Sequence, residues 1–213
     1  MGSLVQDNQA IDSRFGEAVW ITDFITPNNP DVRLLHQRLT YGLDTVEARV
    51  AALWRYTANI PYRHSVSSKL IIGGKSFSQK DTWLFPAETI ISPVANCANK
   101  SFLLTSLVRN ELGPEDVRCA LGHVRIDGIG AHAWVEADMG QKYILETTQP
   151  DIREALIPAG RAEAYEKELE FSDRGVYAVS ERPAAKILNE QFGFCAIPFL
   201  RDYICVHCQG LEG

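Results

Sequence analysis

Residues 93–113 read PVANCANKSFLLTSLVRNELG, and the position of Cys97 within them decides how the rest of the chain is read. After Cys97, the apolar residues Phe102, Leu103, Leu104, Leu107, Val108 and Leu112 recur at helical spacing. Pro93 and Asn96 are start signals, Asn96 is a good N-cap, and Gly113-Pro114 is a stop. Cys97 is therefore expected in the first turn of a helix. There the free backbone N–H groups and the positive end of the helix dipole favour a thiolate, the nucleophilic form of cysteine.

Two further signals follow in order. The run AHAWVEA, residues 131–137, alternates: His132, Trp134 and Glu136 point one way, and Ala131, Ala133 and Val135 the other. The turn DMGQ and the short strand KYILET come next, which predicts a hairpin. Folding it back brings Glu146 towards His132, provided the register sets both on one face; a slip of one residue would separate them. In that register Glu146 can accept a hydrogen bond from one imidazole nitrogen, and the other can take the thiol proton. Each residue alone also fits a structural role: a buried thiol, a strand histidine, a solvated carboxylate. The order helix start, strand, next strand is what joins Cys97, His132 and Glu146 into a nucleophile, base and orienting carboxylate.

The motifs WLFPAETI (83–90), NCANKSFLLTSLV (96–108), ALGHV (120–124), HAWVEA (132–137) and LETTQP (145–150) resemble, in the same order, those of the transglutaminase-like superfamily. Bacterial members of that superfamily carry Trp and Pro-x-Glu-Thr, Gly-Asp-Cys at a helix start, His-Ala-Trp-Val-Glu, and a strand ending Leu-Asp-Pro-Thr. The resemblance covers residues 44–150. It implies an α+β fold with a papain-like/transglutaminase-like core, in which the catalytic helix packs on an antiparallel sheet. This chain departs from the pattern at Ala95, Asn96, Asn99, Glu146 and Thr147. Glu146 replaces an aspartate one methylene shorter, so its strand is expected to sit slightly further from His132. The resemblance implies cysteine-dependent acyl transfer on an amide or related donor, through a thioester, as a peptidase or amidase or as a transamidase. The alternative is a non-catalytic transglutaminase-like module that binds protein. Oxyanion or cleft candidates are Trp83, whose other role is as a core aromatic, and Asn96. The backbone N–H of Cys97 is a further donor, because amides at a helix start are unpaired.

Composition sets the bounds. Hydrophobic residues make up 46% of the 213 and charged residues 23%, as in a globular protein. The net charge is -6 and no Lys/Arg cluster stands out, which disfavours nucleic acid as a partner. No apolar run approaches a membrane span, and the first residues lack a signal-peptide pattern. Five cysteines fit reduced thiols and a cytoplasmic location better than a disulfide framework. No calcium loop is evident, so no metal or cofactor is expected. The expected partner is a peptide, protein or small amide substrate, with or without an amine acceptor.

A single domain over residues 1–213 is expected, with the recognisable core at 44–150 and an extension, 151–213, packing on it. Residues 31–41 predict a short helix with Leu34, Leu35 and Leu39 inward. The run from Asp44 to Tyr62 predicts another, N-capped by Asp44 and ended by Pro61, with Val46, Val50, Leu53 and Trp54 as its buried stripe. Residues 63–80 predict a polar loop or hairpin; Gly73-Gly74-Lys75 lacks the spacing of a phosphate loop. Three strands over 117–126, 131–138 and 142–147 predict a meander on the Cys97 helix, with Cys119 structural. The charged stretch from Asp151 to Gly175 predicts a surface strap, followed by an edge strand at VYAVSE and a short helix from Pro183. Cys195, Cys205, His207 and Cys208 fall short of a four-ligand zinc pattern, and the default is an apolar tail with incidental thiols.

Overall fold

The computed structural model describes residues 4–6, 10–14, 17–64, 68–72, 75–79, 82–125, 129–148, 156–158, 162–179, 184, 186–188 and 196–197. Pro183 and the tail residues Cys195, Cys205, His207 and Cys208 lie outside the described residues.

The strands are β1 (Leu4–Gln6), β2 (Ala10–Arg14), β3 (Glu17–Trp20), β4 (Ser68–Ile72), β5 (Lys75–Gln79) and β6 (Val117–Arg125). They continue with β7 (Ile129–Asp138), β8 (Lys142–Leu145), β9 (Leu156–Pro158), β10 (Tyr165–Ser172), β11 (Gly175–Ala178) and β12 (Ala196–Ile197). The helices are α1 (Pro30–Thr40), α2 (Val46–Ala58), α3 (Pro86–Ile91) and α4 (Cys97–Val108), with a 3-10 turn at Ile21–Phe24. A seven-stranded antiparallel sheet runs β1-β11-β10-β6-β7-β8-β9. Two small sheets, β12-β2-β3 and β4-β5, stand apart from it.

Helix α4 is the centre of the molecule. Every residue from Ala98 to Val108 is buried, so this helix is enclosed on all sides rather than amphipathic. Leu103, Leu104, Leu107 and Val108 pack with Val50, Leu53 and Trp54 of α2 and with Val117, Val135 and Leu145 of the sheet. Phe102 packs with Phe24, Trp83, Cys119, Leu121, Ala133, Leu169 and Phe171. On the other face of the sheet, Trp134, Ala120 and Ile144 form a separate cluster, flanked by Tyr165 and Ile157.

The β6–β8 meander and the β4-β5 hairpin form as expected. Five local expectations are corrected. Leu34 of α1 is exposed, while Val32 is the buried residue of its stripe. Thr45, not Asp44, caps α2: its hydroxyl accepts the Ala48 N–H at 3.1 Å, because Thr45 is the last extended residue before the helix. Helix α4 ends at Val108, and residues up to Leu112 form turns. The stretch read as a surface strap contains β10, which lies between β11 and β6 near the middle of the large sheet, with Leu169 and Phe171 fully buried. The next strand, β11, is covered by β1 rather than forming the edge.

One glycine is required by this arrangement. A Cβ on Gly122 would lie 2.1 Å from the Glu166 carbonyl oxygen, where β10 crosses close to β6 beside a bulge between Lys167 and Leu169. Gly122 is also the register partner of His132.

Candidate active site

Cys97 opens α4, and Asn96 is its N-cap: the Asn96 side chain accepts the Asn99 N–H at 2.9 Å. The cap is held from outside the helix. Ala95 donates to the Pro61 carbonyl and accepts from Arg63 N–H, both at 3.0 Å, so the residues after α2 pair with the residues before Cys97. Asn99 ties down the segment on the other side. Its Oδ1 accepts the Leu84 N–H at 2.8 Å, and its Nδ2 donates to the Thr82 carbonyl at 3.4 Å. An aspartate there could accept but not donate, so the asparagine suits a position that must do both.

Trp83, between those two residues, is almost fully buried. Its indole lies edge-on to Phe24, centroids 5.4 Å apart, and to Phe102, 4.8 Å apart. Cys97 is half-buried against the same cluster. Trp83 thus stands in the aromatic core beneath the thiol, and Asn96 beside it at the helix cap.

The register Val135↔Leu145 and Glu136↔Ile144, continued by one residue, sets Glu146 opposite Trp134. That is the face of β7 to which His132 belongs. His132 Nε2 donates to Glu146 Oε2 at 2.9 Å, so the extra methylene of glutamate leaves the pair within hydrogen-bond reach. Cys97 is a neighbour of the same ring, near enough for its hydrogen-bonding and charge to act on the imidazole. With Nε2 engaged by Glu146, Nδ1 is the nitrogen left for the thiol. Cys97, His132 and Glu146 therefore meet at one point, although they come from a helix, a strand and the residue after a strand.

The electrostatics follow from this contact. Burial alone would lower the pKa of His132, but hydrogen bonds with Cys97 and Glu146 and their charges raise it to about 10. Burial alone would raise Glu146; the hydrogen bond and charge of His132 and the Thr148 contacts lower it to about 2. The pair is an imidazolium and a carboxylate across the neutral range. By contrast, Cys119 is wholly buried, and desolvation raises its thiol well above the ordinary value.

Three residues of this cluster were not singled out in the sequence. Tyr165 of β10 donates its phenol to Glu146 Oε2 at 2.8 Å. Thr148 donates both its backbone N–H and its hydroxyl to Glu146 Oε1, each at 2.7 Å. Lys100, three residues after Cys97, is buried and donates to the carbonyls of Ala58 and Thr147. A cavity of about 280 Å³ borders His132, lined by Tyr62, Val124, Ala131, Glu146, Thr148 and Tyr165 among others. The sequence signals were faint: an L-x-F alternation at Leu169 and Phe171, broken by the bulge, and a lysine in an otherwise apolar helix.

No family model matches the chain, and no curated protein matches its sequence. Solved structures do. LapG of Legionella pneumophila superposes with a TM-score of 0.52 at 15% identity, over 76% of this chain and 82% of LapG. The core is transglutaminase-like. A calcium-bound LapG structure gives 0.51 at 14% identity, over 72% and 80% of the two chains. A proposed cysteine protease from Cytophaga hutchinsonii aligns at 16% identity and a TM-score of 0.43, over 70% of this chain and 48% of its own. At these identities the likeness is one of fold: a papain-like, transglutaminase-like core with its central helix on an antiparallel sheet. Among the described residues, no three or more His, Cys, Asp and Glu side chains are grouped as a metal ion would need. No described helix is long and apolar enough to cross a membrane.

Proposed function

We propose that this transglutaminase-like chain is a cysteine-dependent acyl-transfer enzyme acting on an amide or related acyl donor. The observation that carries the reading is the convergence on His132: one imidazole nitrogen on Glu146, and the ring close enough to a thiol at a helix start for the thiol to raise its pKa.

The chemistry follows from that arrangement. Cys97 Sγ attacks the acyl carbon and forms a C–S bond while the proton it has given up rests on Nδ1 of the His132 imidazolium. The developing oxyanion is met by the unpaired backbone N–H at the start of α4. The Asn96 cap uses its Oδ1, so its Nδ2 is the group that could assist. As the C–N bond breaks, the imidazolium returns the proton to the leaving amine. Water or a second amine, deprotonated by His132, then attacks the thioester and frees Cys97. Glu146 keeps the tautomer and orientation of the ring throughout and stabilises its charged form. Water makes the chain a peptidase or amidase, and an amine makes it a transamidase.

The test is acyl-donor profiling of the wild type against Cys97→Ala, with and without added amines, trapping the acyl-enzyme by mass spectrometry. A thioester adduct on Cys97 of the wild type alone is the expected result, and amine dependence of its decay separates transfer from hydrolysis. If no donor acylates Cys97 and its thiol reacts with iodoacetamide no faster than an ordinary cysteine, the chain is a binding module instead.

A further inference from the structure

Glu146 is held by its backbone as well as by its side chain, and the holding groups come from the helices. Trp54 Nε1 of α2 donates to the Glu146 carbonyl at 2.6 Å. Lys100 Nζ of α4 donates to the next carbonyl, that of Thr147, at 3.1 Å, and to the carbonyl of Ala58 at 3.0 Å. Ala58 is the last residue of α2, where carbonyls lack helical partners and the dipole is negative. The ammonium thus meets the negative end of one helix while belonging to the first turn of another. Its side chain is 1% exposed, which is rare for lysine and costly unless the charge is satisfied.

We propose that Lys100 is a positioning residue: its buried ammonium fastens residues 146–148 to the first turn of α4 and thereby holds the Glu146 carboxylate against His132. The proposal rests on the acyl-transfer reading for its catalytic meaning. Its geometry is a clamp. Trp54 and Lys100 fix two successive carbonyls of the 146–148 segment, and the Glu146 side chain reaches His132, Tyr165 and Thr148. Cys97 and Lys100 are three residues apart on one helix, so a single rigid element sets the thiol and the carboxylate relative to each other. Burial brings the Lys100 pKa down to about 8, with Glu146 opposing the fall, so the clamp remains cationic at neutral pH. A solvated lysine would add no such constraint, and an apolar residue would leave the Thr147 and Ala58 carbonyls without this donor.

The test is Lys100→Met, which keeps length and bulk and removes the charge. Two readouts are taken: the iodoacetamide alkylation rate of Cys97 near neutral pH, and the titration midpoint of His132 by NMR. The expected result is a fall of about tenfold or more in alkylation rate, the size of one lost positioning interaction, with a lower His132 midpoint. Adding Lys100→Met to Glu146→Gln should change the rate less than about twofold, because residues acting through one another are non-additive. Wild-type behaviour in Lys100→Met, or losses that multiply, overturns the proposal. If the wild-type thiol proves ordinary, the acyl-transfer reading fails by itself, and the His132 midpoint still decides whether Lys100 holds Glu146. Should Lys100→Met not fold, a through-hydrogen-bond coupling from the Lys100 ammonium to the Thr147 carbonyl carbon is sought in the wild type. Its presence supports the clamp and its absence overturns it.

Discussion

Among the described residues, two histidine–glutamate pairs are largely buried, and they invite comparison. His132 Nε2 meets Glu146 at 2.9 Å; His36 Nε2 of α1 meets Glu111, just past α4, at 2.6 Å. Both imidazoles are 14% exposed. By distance and burial the second pair is as good a dyad as the first. The difference lies in the third group. The Glu111 carboxylate is shared with Arg49, whose Nε lies 2.6 Å from its other oxygen, so the cluster ties α1 and α2 to the end of α4. Among the described residues, the donors to the Glu146 carboxylate besides His132 are the uncharged Tyr165 and Thr148, and a thiol lies close enough to the imidazole to raise its pKa. A histidine–carboxylate pair is thus an ordinary packing device. On the proposed acyl-transfer reading, a nucleophile at a helix start is what gives one of them a chemical use.

That contrast can be broken by substitution. Cys97→Ala should abolish adduct formation with any acyl donor, as read by intact-mass spectrometry. His132→Ala should lower acylation by about 10³-fold or more, because the thiol loses its base. Glu146→Gln should cost about 10²-fold in the same assay, since the ring keeps a partner but loses the charge that stabilises the imidazolium. His36→Ala should leave acylation within about twofold while lowering Tm by a few degrees, consistent with roughly 1 kcal/mol for a structural contact. A comparable loss of acylation in His36→Ala would erase the distinction between the pairs.

A pH experiment sharpens the comparison further. The raised His132 pKa contributes stability that is complete below its ordinary value of 6.5 and is lost as pH rises through about 10. The lowered Glu146 pKa contributes stability that is complete above its ordinary value of 4.5 and is lost as pH falls through about 2. The contribution of this pair is therefore greatest between those ordinary values. Denaturant unfolding of wild type minus His132→Gln should show a difference largest near pH 5 to 6 and shrinking on both sides. A flat difference would mean that the ion pair is not formed.

The helical half of the site was legible because its signals are local. Asn96, Cys97 and the leucines after it state a cap, a first turn and a buried run, and the structure differs only in ending α4 four residues early. The β7–β8 hairpin was legible because its turn fixes the register, and the register fixes the face of Glu146. Tyr165 was not. It opens a strand in which Glu166, Lys167, Glu168 and Glu170 suggest a solvated segment, yet Lys167 pairs across strands with Glu136, and Glu170 with Arg118. The bulge after Lys167 shifts the alternation, so Leu169 and Phe171 turn to the core while Tyr165 faces the site. Lys100 was hidden for a different reason. Its satisfaction depends on two carbonyls 42 and 47 residues away in the chain, and no local pattern encodes such partners.

The place of β10 has a practical consequence for anyone trimming this protein. A fragment cut at residue 150 would keep all the recognisable motifs and still be incomplete. Without β10, β6 becomes a raw sheet border, its backbone open to pairing with another copy, and the apolar side chains Cys119 and Leu121 lose the cover of Leu169 and Phe171. Such a fragment should precipitate, and any of it that stayed in solution would lack the phenol that steadies Glu146.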